Sequence, residues 1–377
     1  MVPKFDPKEL TPAPGASFSR PVERFSFPLS QFEANEKAYK GEPWWQMQQA
    51  IDTHPFMPDI IPDNIARGFV FEANMAKYAP NEMKGGPDMF GIEWEYIPTV
   101  SGSMVRPGVP FLEDIEDWEE KIVWPDVDSW DWEGCAERNK DFLKPDHFNQ
   151  FWFFSGYDER LISMMEFAGA LMTITDEDCQ PFVHAFFDKL TDLYIDIFKH
   201  LLDYFPTLNA VFFHDDWGGQ LDTFFPPAVV EEMIVPYMKR CTDYLHSRGV
   251  WCELHSCGAI YKQIPNIIKA GWDMWSPQLM NDCYKMYDDY GDQLIIATYP
   301  QNIPEEIMAL GSEAAMKEAF AALPEEQQRQ IAYDYIHRVY RKDRQSFYAF
   351  YAAHWLTQAF KEVIYEESRK ISAGEYD

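Results

Sequence analysis

The chain has 377 residues, 46% of them hydrophobic and 16% aromatic, which is enough apolar material for a large core and unlike the composition of a disordered chain. Its 62 acidic residues outnumber 32 basic ones and leave a formal charge of −30, a balance that repels nucleic-acid backbones and anionic lipid surfaces. No run is apolar for the length a membrane span needs, so nucleic acid, membrane and polyanionic substrates are all disfavoured.

In chain order, the opening MVPKFDPKEL lacks the apolar core of a secretory leader. The six cysteines are scattered, unlike a small disulfide framework, so free thiols and a cytoplasmic location are expected. Residues 1–45 read as an N-terminal arm and first helix: Pro3, Pro7, Pro12 and Pro14 deny it periodicity and suit a surface arm or one reaching a partner subunit, as in a homodimer. Residues 46–377 show no repeat, linker or composition shift and read as one domain.

Within that domain, short β-rich runs fall at 56–61, 89–97, 150–155, 209–214, 250–256, 272–276, 293–298 and 346–353, mostly separated by helical patterns. The run at 89–97 reads as a barrel strand or a hairpin insertion. Helix starts are marked by Pro226-Pro227, for a helix ending at Gly249, and by Pro304. Alternating strands and helices imply a parallel α/β sheet, and the absence of a glycine-rich nucleotide loop favours a TIM-type (β/α)8 barrel over an open sheet. A barrel presents its chemistry at the C-terminal ends of its strands.

Two strand ends carry such chemistry. In Val250–Gly258, period-2 alternation places Glu253, His255 and Cys257 on one face. An imidazole and a thiolate two residues apart suit Zn²⁺, although a core histidine beside a small buried thiol gives the same pattern. A third ligand is open between Glu253 on the same face, Cys283 after the next strand, and His354 at the end of FYAFYAAH; His354 is preferred for its place at a strand terminus. In Asn209–Gln220, an apolar strand ends abruptly in His214, Asp215, Asp216, Trp217 and two glycines. His214 and Asp216 are the residues there suited to orient a ligand, bind a cation or move a proton, unless the acidic pair only caps the next turn. Trp94, flanked by Glu93 and Glu95, together with Phe154, Trp217, Gln278 and Tyr348, are the candidates for lining a pocket for a flat apolar substrate.

The blocks HDDWGGQ, FFPPAVVEEMIVPYMKRCTDYLHSRG and ELHSCGAIYKQIPNIIKAGWDMWSPQ, with GPDMFGIEWEYI and FLEDIEDWEEKIVWPD before them, resemble the uroporphyrinogen-decarboxylase-like superfamily over residues 60 to 300. That resemblance implies a (β/α)8 barrel with the site in its mouth. The arginine-rich N-terminal segment by which true decarboxylases hold porphyrinogen carboxylates is lacking: Arg20, Arg24 and Arg67 lie in other contexts. The His-x-Cys-Gly element is similar instead to that of the cobalamin-dependent methyltransferases, which place zinc on a His, a Cys one residue beyond and a later Cys. His255 and Cys257 match, but no cysteine follows Cys283; His354 stands near the corresponding strand end. This departure fits poorly with activation of a thiol acceptor and better with members that cleave methyl ethers, the methyltransferase component of O-demethylases. The resemblance then implies Zn²⁺ at His255, Cys257 and a third ligand, with Asp216 or Glu253 protonating or supporting the departing oxygen. The methyl group would come from a methoxylated, aromatic small molecule and go to a corrinoid on a separate partner protein. A corrinoid methyltransferase for an amine, thiol or alcohol, a decarboxylase-like lyase, and a non-catalytic scaffold are the alternatives.

Overall fold

The computed structural model describes residues 10–13, 22–25, 29–42, 44–49, 51–75, 85–97, 102–341, 344 and 346–376. The chain is an α/β protein of the TIM-type (β/α)8 class. Its eight-stranded sheet comprises β1 (Met47–Gln48), β2 (His54–Phe56), β3 (Asn149–Phe153), β4 (Leu208–His214), β5 (Trp251–His255), β6 (Met274–Ser276), β7 (Ile295–Thr298) and β8 (Ser346–Tyr348). Helices used below are α1 (Gln31–Tyr39), α2 (Pro62–Arg67), α3 (Tyr157–Thr175), α4 (Gln180–Tyr204), α5 (Pro227–Met233) and α6 (Val235–Ser247). Among the described residues no helix is long and apolar enough to cross a membrane.

The chain divides into two compact units, one of residues 1–54, 146–148 and 273–377, the other of residues 55–145 and 149–272. In the first, β6, β7, β8 and β1 are parallel, and the last strand pairs with the first at Phe347↔Met47 and Tyr348↔Gln48. That pairing is the one a (β/α)8 order requires and an open doubly wound sheet lacks. Helix α1 is fixed by a capping box: Glu33 N donates to Ser30 Oγ at 3.1 Å and Ser30 N donates to Glu33 Oε2 at 2.8 Å. Of the N-terminal arm, Leu10–Ala13 pairs antiparallel with Val22–Phe25; the prolines at 3, 7 and 14 lie outside the described residues.

In the second unit β3, β4 and β5 are parallel, with Trp152 opposite Phe212 and Phe212 opposite Glu253. The outer face of β3 is packed by aromatics: the Phe153 ring lies 4.8 Å from Tyr194 and 5.2 Å from Phe198 of α4, and 5.3 Å from Phe213 of β4. Each such ring, fully removed from water, contributes about 1.5–3 kcal/mol. This clamp between helix and strands holds the ends of β3 and β4 in place.

Four of the eight strands lie inside the runs read from the sequence, two more begin one residue early, at Asn149 and Leu208, and the larger differences have local causes. The run 89–97 is a hairpin insertion: Glu93–Ile97 pairs antiparallel with Gly102–Val105 and with Gly86–Pro87. The first strand of the sheet, Met47–Gln48, is too short for any period to register, and the run 56–61 begins where β2 ends. The helix after Pro226-Pro227 is two helices broken at Ile234, because Pro236 has no N–H to donate and its ring crowds the carbonyl four residues back. The last run ends as a strand at Tyr348, and His354 sits instead on a 3₁₀ turn, Phe350–Trp355.

Candidate functional site

The C-terminal ends of β4 and β5 lie side by side in the second unit. Register pairs His255 with His214, and their rings stand 5.0 Å apart. Each strand continues into a tight loop, and the loops are stitched together. Asp215 N donates to the His255 carbonyl at 3.1 Å, Trp217 N to Ser256 Oγ at 3.0 Å, Cys257 N to Asp216 Oδ1 at 2.6 Å, and Ala259 N to the Gly219 carbonyl at 2.8 Å. Gly258 is at φ +90°, and a Cβ there would lie 2.2 Å from the Gly218 carbonyl carbon and oxygen. Glycine is therefore required twice at this crossing, once for conformation and once for space.

The stitching brings four donor groups together. One ligand atom each from His214, Asp216, His255 and Cys257 lies within 4.8 Å of the others. His255 Nε2 is 3.5 Å from Cys257 Sγ, and His214 Nε2 is 3.4 Å from Asp216 Oδ1. His255 is buried, whereas the other three are half-buried, so the cluster faces outward from the core. The His255 ring stacks on Phe212 at 5.8 Å and 14°, which sets its plane.

A second layer surrounds His214. Its Nδ1 lies 2.7 Å from Glu159 Oε1, in ion-pair contact but without hydrogen-bond geometry, and Glu159 Oε2 accepts from Arg67 Nη1 at 2.7 Å. Arg67 in turn lies over the Trp94 ring, 4.1 Å from its centroid. Burial raises the Glu159 carboxyl, but His214 and Arg67 outweigh it and hold the group down to about 2. Burial alone would lower His214, yet Glu159 and Asp216 carry it well above the usual imidazole range. Burial raises Asp216 against the pull of His214, and pushes the Cys257 thiol up to about 11. A divalent cation at the cluster would reverse that last effect by favouring the thiolate.

Asp215 has a different task. It is fully buried and accepts from Glu159 N at 3.1 Å, Asp158 N at 3.3 Å and Trp217 Nε1 at 2.9 Å, so it caps the first turn of α3 and anchors the Trp217 indole. Gly156 permits this, since a Cβ there would lie 2.2 Å from Asp215 Cβ. Of the acidic pair, then, Asp215 is the cap and Asp216 belongs to the donor cluster.

The other residues singled out in the sequence have definite places. Glu253 is buried one layer below His255 and accepts from Gln150 Nε2 at 2.6 Å, while Gln150 Oε1 takes the Trp152 indole N–H at 2.9 Å. Phe154 is half-buried beside His214, 5.2 Å between rings. Trp94 is 5% exposed, donating to Asp88 Oδ2 at 3.0 Å, and Trp217 is fully buried; both are tied into packing. In the first unit, Tyr348 is buried and donates to the Ala352 carbonyl at 2.9 Å, and Gln278 is half-buried. Cys283 is fully buried between the Tyr299 amide and carbonyl, its thiol pushed up to about 12 by burial. His354 packs edge-on against Trp355, and burial pushes it down to about 4.

Sequence reading missed Glu159 and Arg67. Glu159 follows β3 in Ser155-Gly156-Tyr157-Asp158-Glu159-Arg160, and the strand-end rule that selected His214 and His255 points there too.

The fold has a relative among solved structures. A methyltransferase from Methanosarcina mazei superposes with a TM-score of 0.54 over 91% of this chain and 98% of that one, at 12% sequence identity. The likeness lies in the fold. No family model matches the sequence, and no curated protein does.

Proposed function

We propose that the protein is a zinc-dependent methyltransferase that takes the methyl group of a methoxylated aromatic compound and passes it to the Co(I) corrinoid of a separate partner protein. The observation that carries this reading is the convergence of His214, Asp216, His255 and Cys257 on two paired strand ends. The (β/α)8 fold shared with a methyltransferase supports it.

The donor set fits zinc. Two imidazoles, a thiol and a carboxylate make the mixed nitrogen, sulfur and oxygen environment that the ion favours, and the arrangement keeps a position for substrate if three of them hold it. His214, His255 and Cys257 are assigned as those three. His214 takes the place that sequence reading gave to His354, because Glu159 behind its Nδ1 is the carboxylate partner that ligating histidines characteristically have. When bound, the ion supplies a Lewis acid that polarises the ether oxygen.

The chain's own residues do the rest. Asp216 holds a proton for the departing oxygen, helped by burial that raises its carboxyl. Glu253, through Gln150 and Trp152, makes a fixed polar floor below His255. Phe154, half-buried beside His214, presents an apolar face to a flat ring, backed by the buried Trp152 and Phe212 rings it touches. In the overall exchange the carbon–oxygen bond breaks, the oxygen keeps the bonding pair and takes the proton, and the methyl carbon is bound through the cobalt's electron pair.

Zinc-loaded protein incubated with a methoxylated aromatic and a reduced corrinoid protein is expected to convert the Co(I) spectrum to that of methylcobalt, and His255→Ala to abolish the change. Absence of methylation with methyl ethers, and equally with methylamines, methanol and methyl thioethers, would overturn the assignment.

A further inference from the structure

We propose that Glu159 is a positioning residue for His214, holding the ring with Nδ1–H toward its own carboxylate and Nε2 toward Asp216 and Cys257, and that Arg67 braced on Trp94 fixes Glu159 in turn. The inference rests on the metal-centre reading above and adds to it a device that neither the strand periodicity nor the donor cluster supplies.

Four independent contacts build the device. Glu159 touches His214 Nδ1 and Arg67 Nη1 with separate oxygens, each at 2.7 Å. The three side chains are nearly enclosed, with 12% of Glu159, 8% of Arg67 and 18% of His214 exposed, so water does not compete strongly for these partners. The Glu159 backbone is pinned as well, its amide donating to Asp215 at 3.1 Å. Arg67 spends its charge here: among the described residues its Nε and Nη2 have no hydrogen-bond partner, and its guanidinium carbon lies 4.1 Å from the Trp94 ring centroid. Trp94 is itself held by Asp88, which also accepts from Arg160 Nη1 at 2.8 Å and from the Phe90 and Ile92 amides.

The chemistry explains why this position holds a carboxylate. Arg67 donates to one oxygen and His214 Nδ1 lies 2.7 Å from the other, so a proton on that nitrogen meets an acceptor, and only a carboxylate offers acceptors to both neighbours. A glutamine has one oxygen. If Arg67 takes it, the amide NH₂ faces His214, the ring's Nδ1 becomes an acceptor, and its proton moves to Nε2, the nitrogen that faces the donor cluster. An imidazole protonated there cannot bind a cation.

The test compares wild type, Glu159→Gln, and Glu159→Gln combined with Arg67→Met, which frees the amide oxygen for His214. Two quantities are read: the protonated nitrogen of His214, from long-range proton–nitrogen spectra of metal-free protein at a pH that leaves the ring neutral, and zinc affinity, by chelator competition. Wild type is expected to show Nδ1–H. Glu159→Gln should show Nε2–H and bind zinc ~10–100-fold more weakly, the usual cost of removing such a partner. The double variant should regain Nδ1–H and most of the affinity, although it has lost the ion pair, a rescue that a purely structural role would not give. An Nε2–H ring in wild type, an unchanged E159Q, or a double variant no better than E159Q overturns the proposal. If the variants fail to fold, wild type and Arg67→Met decide it, since R67M should keep Nδ1–H. Wild type that binds no zinc refutes the metal-centre reading, while the tautomer still decides this one.

Discussion

Replacing Gly258 by Ala tests the loop crossing on which the donor cluster depends. The added Cβ would sit 2.2 Å from the Gly218 carbonyl, roughly 1 Å inside ordinary contact, and the residue would keep φ +90°. The left-handed backbone costs about 1–2 kcal/mol for a residue with a Cβ, and overpacking against backbone adds about 1–3 kcal/mol. Gly249 provides the internal control: it has φ +74° and open space where its Cβ would go, so Gly249→Ala bears only the first cost. Urea unfolding is expected to show G258A less stable than G249A by about 1–3 kcal/mol at an unchanged slope. Zinc binding should fall in G258A alone, because the displaced loop carries the contacts from Cys257 N to Asp216 and from Ala259 N to Gly219. Equal stability and equal zinc affinity in the two variants would refute this account of the glycine.

Metal analysis distinguishes the ligand sets: His214→Ala, His255→Ala and Cys257→Ala are expected to lose the ion, while His354→Ala and Cys283→Ala keep it, and the opposite result for His214 and His354 would restore the third ligand read from sequence. Asp63 is buried against Arg160, and although burial opposes it, Arg160 and Arg67 lower its carboxyl below the ordinary range; removing it as Asp63→Asn should cost about 3–5 kcal/mol at pH 7. A depressed carboxyl contributes stability above its unfolded value and loses it as pH falls through the folded one, so the gap between wild type and D63N should close on acidification, as urea midpoints at neutral and low pH will show. Asp158 is fully buried, with neither oxygen hydrogen-bonded among the described residues, and burial, followed by Asp215, raises it well above the usual range. The folded state then holds a proton the unfolded state has released, so stability falls as pH rises from the unfolded value, and Asp158→Asn should raise the melting temperature at pH 8 but not at pH 3. No difference at pH 8 would contradict that environment.

His255 and Cys257 were legible because a five-residue strand, Trp251–His255, is long enough to display a period of two, and because the residue types carry their chemistry in any context. His214 and Asp216 were legible as a strand end but not as donors in the same cluster. Their proximity depends on register between β4 and β5, which no local pattern encodes. Arg67 and Glu159 were opaque for a stronger reason: they are 92 positions apart, one closing a six-residue helix and the other opening a long one, and neither segment has an anomaly that distinguishes a paired charge from a solvated one. The first third of the chain was obscure because β1 and β2 have two and three residues and an antiparallel insertion follows them. The parts read from sequence are thus those whose information lies within one strand. The part that decides whether His214 is a ligand or a buried cation lies in a contact between distant segments, which is why the tautomer of that ring is the more discriminating measurement.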